Sequence, residues 1–257
     1  MSIGRNSLAI AMATLAGLAA FSSCSEIPTS DSAVLSLTFD SLPAPAVVLG
    51  DTLRDTIGTA APITATVYNF QGNVIVNPPL RFQALDRGIR IDSVTGFVIG
   101  DSLRATPVRV AVTVDGLQAT SLLDVTLRPD TIIPVRERDS LLYSLVDTTK
   151  NISSPLAVRA YHSLTSLDST VKSYIVSFAI SSPADTQLAV LVNEAGKESR
   201  VDTTDANGEA SRRIRLTPAR LTALTDSVIV LATVKYRGAH VRGSPARIVL
   251  KVQPSAQ

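Results

Sequence analysis

Short runs of β-branched residues alternating with polar ones recur along the chain, and this period of two decides what it can fold into. Val108, Val110, Val112 and Val114 are separated by Arg109, Ala111 and Thr113. Successive side chains of a strand point to opposite faces, so the spacing puts all four valines on one face of a half-buried strand. Asp115-Gly116 follows, a dipeptide suited to the two-residue turn of a hairpin. On the return run, Ala119, Leu123, Val125 and Leu127 share one parity, against Thr120, Asp124 and Thr126 on the other. The same alternation appears in Ile63, Ala65 and Val67, and in Tyr174, Val176, Phe178 and Ile180. It returns twice near the end, in Val228 to Tyr236 and in Ala246 to Val252. With 14 Pro and 13 Gly punctuating these runs, the pattern predicts sandwiches or barrels of many short strands. Aromatic residues make up only 4% of the chain, too few for the girdles of a membrane barrel. The expected fold class is therefore all-β, with two tandem sandwiches.

The division into two comes from length and from a change of composition. Across residues 129–139 the chain turns to Pro, Arg, Asp and Glu, which reads as a semi-rigid connector. It separates a first domain at 31–128 from a second at 140–253. The first resembles the group 2 bacterial immunoglobulin-like domain. The matching residues include Val47-Val48-Leu49-Gly50-Asp51-Thr52-Leu53, Ile63-Thr64-Ala65-Thr66-Val67-Tyr68 and Ile91-Asp92-Ser93-Val94-Thr95-Gly96. Phe82 stands where that family often has Trp, which implies a core aromatic between the sheets. Gly50-Asp51-Thr52-Leu53-Arg54 is echoed by Gly100-Asp101-Ser102-Leu103-Arg104, read as two similar turn-to-strand entries. In the second domain, Thr204-Asp205-Ala206-Asn207-Gly208-Glu209-Ala210 resembles a turn of group 1 bacterial immunoglobulin-like domains, those of invasin and intimin. Pro218 suits a helix start, and one helical turn is expected at 220–224.

The first 23 residues read as an export signal. Arg5 gives a positive start, and residues 8–21 form a charge-free apolar stretch, followed by small residues. That order belongs to a secretory signal, and the stretch is short of the roughly 18–20 residues a membrane-spanning helix needs. Phe21-Ser22-Ser23-Cys24 resembles the lipobox of bacterial lipoproteins, although that family usually has Leu where Phe21 stands. The resemblance implies that the chain is cut before Cys24, that Cys24 carries the lipid, and that residues 24–30 form a tether. Ser25 resembles the pattern of lipoproteins sent to the outer membrane. The expected location is the cell envelope, with the membrane as partner through lipid on Cys24. As the only cysteine, Cys24 has no partner for an intrachain disulfide.

Composition narrows the function classes. A net charge of +2 and a pI near 8.8, without basic patches interleaved with aromatics, argue against nucleic acid as a partner. His162 and His240 are the only histidines, too few for a histidine-rich metal site, and nothing resembles a nucleophile elbow. No enzyme activity, cofactor or metal is expected. Asp202, Asp205, Asn207 and Glu209 suggest calcium, yet aligning Gly208 with the glycine of an EF-hand loop puts Thr203 and Ile214 where carboxylates are needed. They read as a hairpin turn. Arg213, Arg215, Arg247 and Lys251, with Arg242, are expected on one exposed, solvated sheet face. What remains is a non-enzymatic adhesion, scaffold or spacer module with a protein or polysaccharide partner. The alternatives are a carbohydrate-binding module, poorly supplied by five tyrosines, and an accessory subunit of an envelope complex.

Overall fold

The computed structural model describes residues 33–163, 168–183, 188–217 and 227–255. The signal, the tether, Cys24 and the expected helical turn at 220–224 lie outside them. The first half contains β1 (Val34–Phe39), β2 (Ala46–Val48), β3 (Ala65–Asn69), β4 (Arg81–Ala84), β5 (Ile89–Ile91), β6 (Val98–Gly100), β7 (Val108–Val114) and β8 (Leu117–Thr126). One sheet runs β2-β8-β7-β4, and β1-β3 and β5-β6 form two small sheets. The expected hairpin is β7 and β8, with Val114 opposite Leu117. Its turn has positive φ at both Asp115 (45°) and Gly116 (79°), as a type I′ turn requires. Val108, Val110, Val112, Leu123 and Val125 are all buried, as is Phe82, the core aromatic.

The second half contains β9 (Thr131–Pro134), β10 (Arg138–Tyr143), β11 (Leu156–Ser163), β12 (Asp168–Thr170), β13 (Ile175–Ser182), β14 (Ala189–Val192) and β15 (Val201–Thr203). It continues with β16 (Glu209–Leu216), β17 (Ser227–Thr233), β18 (Lys235–Tyr236), β19 (Ala239–His240) and β20 (Ala246–Pro254). One sheet runs β10-β20-β17-β13-β15. The facing one runs β12-β11-β16-β14, with β9 also on β11. Between them lies a core built on Phe178, Ile214, Ile248 and Leu250, none more than 2% exposed. The alternation carried by β17 and β20 in the sequence reappears as alternating burial, and β16 is buried at every second residue as well. The chain is an all-β protein of two sandwiches.

The segment 129–139 is not a connector. Thr131–Pro134 pairs with β11 as β9, and Arg138–Tyr143 lies parallel to the final strand as β10. Ile132 is 1% exposed in the second core. The Pro and charged residues that suggested a linker mark edge strands, where such residues block further pairing. Only 127–130 separate the last strand of one sandwich from the first of the next. The arginines expected on one face are also divided: Arg213 and Arg215 lie on β16, whereas Arg247 and Lys251 lie on β20 of the opposite sheet.

Because Phe178 fills the middle of the second core, Phe178→Ala should cost about 3–5 kcal/mol. Chemical denaturation monitored by circular dichroism should show the transition moved to lower denaturant.

Candidate functional site at the domain junction

Where the sandwiches meet, the side chain of Asp51 is only 4% exposed. The backbone around it is fixed first. Gly50 donates to the Gly100 carbonyl (2.9 Å), Gly100 donates back to the Asp51 carbonyl (3.1 Å), and Asp51 donates to Val48 (3.0 Å). The two echoed segments noticed in the sequence therefore meet at their glycines. The Asp51 carboxylate then takes six donors. From its own domain come the Thr52 amide (2.8 Å) and Arg54 through Nε (2.9 Å) and Nη2 (3.0 Å). From the second domain come the Tyr236 hydroxyl (2.9 Å) and Arg237 through Nε (3.0 Å) and Nη2 (2.9 Å).

Local turn chemistry delivers the second-domain donors. The hairpin of β18 and β19 turns at Arg237 and Gly238, with φ of 51° and 80°, and its tip rests on the 55–58 loop. The approach is so close that a Cβ on Gly58 would lie 2.2 Å from the Gly238 amide nitrogen. Glycine is required there on space as well as on φ. Arg54 Nη1 also donates to the Gly58 carbonyl (2.9 Å), which fixes this loop against the carboxylate. The Tyr236 ring lies between Arg237 at 5.4 Å and Arg128 at 5.9 Å, within reach of cation–π attraction.

A second contact lies beside the first. Asp124 accepts from Lys172 Nζ (3.3 Å) and Ser173 Oγ (2.7 Å), Thr126 Oγ1 donates to the Lys172 carbonyl (2.6 Å), and Lys172 Nζ reaches the Arg104 carbonyl (3.1 Å). Between the contacts runs a cleft of about 240 Å³. Pro45, Ala46 and Val48 line one wall, and Tyr174, Ile175 and Lys235 the other.

Electrostatics make this a fastening. Burial alone would raise the Asp51 pKa, but the hydrogen bonds from Arg54, Arg237, Tyr236 and the Thr52 amide outweigh it and hold the carboxyl far below the usual range. Burial, then the bond to Asp51, pushes the Tyr236 phenol up, so it remains a donor. Tyr174, raised by burial first, keeps its proton too and donates to the Lys235 carbonyl at 2.7 Å. A carboxylate so engaged is unsuited to proton transfer.

The residues singled out in the sequence are spread out and engaged elsewhere. His162 is buried, its Nδ1 2.7 Å from Asp130 Oδ2 and 2.9 Å from the Arg128 carbonyl. His240 is exposed near Ser244 (3.2 Å). Asp205 caps its turn by accepting from the amides of Asn207 and Glu209. Asp202 pairs with Arg212 and Glu209 with Arg159, each at 2.9 Å. Among the described residues no group of three His, Cys, Asp or Glu side chains could hold a metal ion. Sequence reasoning missed the clamp of Asp51, Arg54, Tyr236 and Arg237. The one available signal was the unexplained echo around Asp51.

No family model matches the chain, and no curated protein matches it. Domains 4 and 5 of the S-layer protein SbsC are similar at 13% identity and a TM-score of 0.32, over 86% of this chain and 98% of that one. Domains EC1-2 of human protocadherin-24 give 14%, 0.28, 87% and 100%, and extracellular domains 3–5 of Drosophila OTK give 10%, 0.26, 87% and 63%, in the same order. These likenesses are distant in both sequence and superposition and bear on no residue of the junction.

Removing the carboxylate leaves two guanidiniums facing each other. Asp51→Ala should destabilise the junction by about 2–3 kcal/mol, less than the 3–5 of a fully buried pair because Arg237 is half exposed. Differential scanning calorimetry should then resolve two domain transitions further apart than in the parent. The pH dependence follows from the depressed pKa. The contribution is complete above the ordinary Asp value of about 3.9 and falls as acid titrates the unfolded state and then the folded one. The parent should lose stability below about pH 4 more steeply than Asp51→Asn.

Proposed function

We propose that the protein is a non-enzymatic envelope lipoprotein in which two immunoglobulin-like sandwiches serve as a stiff spacer or scaffold held to a membrane by lipid on Cys24. The observation that carries this reading is the junction, where a four-residue crossing is flanked by cross-domain hydrogen bonds at Asp51 and Asp124. A flexible tether lets domains reorient; a short crossing with a buried, fully bonded carboxylate resists it. Such stiffness suits a module that holds a partner at a set distance from a bilayer. The apolar stretch, the small residues and Cys24 support export and lipidation, and more than one acyl chain gives lasting anchorage. The carbohydrate-binding alternative is less well supported, since Tyr236 is flanked by arginines and Tyr174 is bonded into the junction.

Two measurements test the reading. Spin labels placed at exposed Val94 and Val201, one in each sandwich, should give one narrow distance distribution by pulsed electron spin resonance. It should broaden in Asp51→Ala, and a broad distribution in the parent would remove the spacer role. Globomycin should block processing of the precursor, and Cys24→Ala should release the protein from membranes. Unchanged processing and fractionation would remove the anchor.

A further inference from the structure

Thirteen of the seventeen aspartates are followed directly by Ser or Thr, whereas only one of the five glutamates is. In twelve of the thirteen the third residue is Ala, Val, Leu, Ile or Thr. Among the described residues the fold employs several of these aspartates, each for a different reason. Asp55 and Asp92 cap turns through backbone amides, Asp51 holds the junction, and Asp202 pairs with Arg212. It does not explain the hydroxyl. Ten of these triplets lie wholly within the described residues, and in eight of them the Ser or Thr is exposed. Among the described residues, only Thr131 of the ten ties its hydroxyl into the fold, accepting from Arg242 Nε at 3.1 Å. Nor does core packing explain every aliphatic third residue: Ile57 is 72% exposed, Val94 63% and Leu103 49%. In Asp55-Thr56-Ile57, Asp92-Ser93-Val94 and Asp101-Ser102-Leu103 the tripeptide recurs on unrelated loops with its hydroxyl unused and its aliphatic side chain exposed, and is suited to reading by another molecule as a short linear signal.

We propose that the exposed Asp–(Ser/Thr)–aliphatic triplets, with Ser93, Ser102 and Thr56 foremost, are sites of O-linked saccharide attachment. This rests on the export reading, which brings the chain to a transferase of the envelope. In the transfer the serine or threonine Oγ attacks the anomeric carbon of a sugar activated by a phosphate leaving group. The new C–O bond replaces the bond to phosphate, and the hydroxyl proton passes to a base of the transferase. The carboxylate next to each acceptor favours an uncharged substituent, because a phosphoryl group there would set about two further negative charges beside it. The exposed aliphatic residue gives the transferase an apolar contact that costs the fold nothing. Thr52 and Thr131, half-buried at the junction, should remain bare.

The test is site-resolved mass spectrometry of the full chain purified from the envelope of its native cells. Saccharide is expected on Ser93 and Ser102. Ser93→Ala should lose it at that site alone. Asp92→Asn should lose it too, although its side-chain oxygen can still accept from the Val94 and Thr95 amides and keep the turn. Persistence of saccharide on Ser102 in both variants shows that they are folded and exported. Bare hydroxyls in the parent, phosphoryl groups in place of saccharide, or unaltered occupancy of Ser93 in Asp92→Asn would each overturn the proposal. Lipid on Cys24 together with bare hydroxyls overturns this inference and leaves the anchored spacer standing; an unprocessed precursor in the cytoplasm overturns both.

Discussion

A carboxylate withdrawn from water must have its lone pairs filled, and the way Asp51 fills them sets the terms on which the two sandwiches meet. Its partners come from two places nearly two hundred residues apart in the chain, Arg54 beside it and Tyr236 with Arg237 on a distant hairpin. The arrangement is strong because each component constrains the next. Backbone bonds to Gly100 hold Asp51, a left-handed turn aims Arg237, and Gly58 allows the hairpin tip to settle. A fault in any of these leaves a buried charge short of donors, which costs more than the bond itself is worth. The junction is therefore a cooperative unit.

Legibility in the sequence followed the range of the interaction. The β7–β8 hairpin could be read because both its signals are local, the alternating valines and the Asp115-Gly116 turn. The alternating faces of β17 and β20 were likewise visible as a pattern of apolar and polar residues, and Phe82 was expected in the core from the family resemblance. The clamp was not, because nothing near Asp51 says that a tyrosine and an arginine far along the chain will arrive there. Residues 129–139 misled for a related reason. Proline and charge discourage pairing in an edge strand and are common in connectors too, and only the hydrogen-bond partners of β9 and β10 separate the two cases. The surface arginines were misassigned because alternation within a strand specifies a face, but not which sheet of a sandwich the strand joins.

The two sandwiches hold without a disulfide among the described residues, so their cohesion comes from apolar burial and from the hydrogen bonds within their sheets. Both cores consist mainly of valine, leucine and isoleucine with one central aromatic each, Phe82 and Phe178. Stiff, β-branched side chains lose little freedom when packed on a pleated surface, which favours precise cores even with few large rings.

Each sandwich also joins an early strand to its last strand in parallel. In the first, β2 lies beside the end of β8, with Ala46 to Val48 opposite Asp124 to Thr126. In the second, β10 runs beside β20 from Arg138 opposite Val249 to Tyr143 opposite Pro254. Tension applied along the chain pulls the start of one such strand and the end of the other in opposite directions. Parallel pairing places the intervening hydrogen bonds side by side across that load, so they must slide together instead of opening one by one. A module anchored at one end and pulled at the other would meet force in its most resistant geometry.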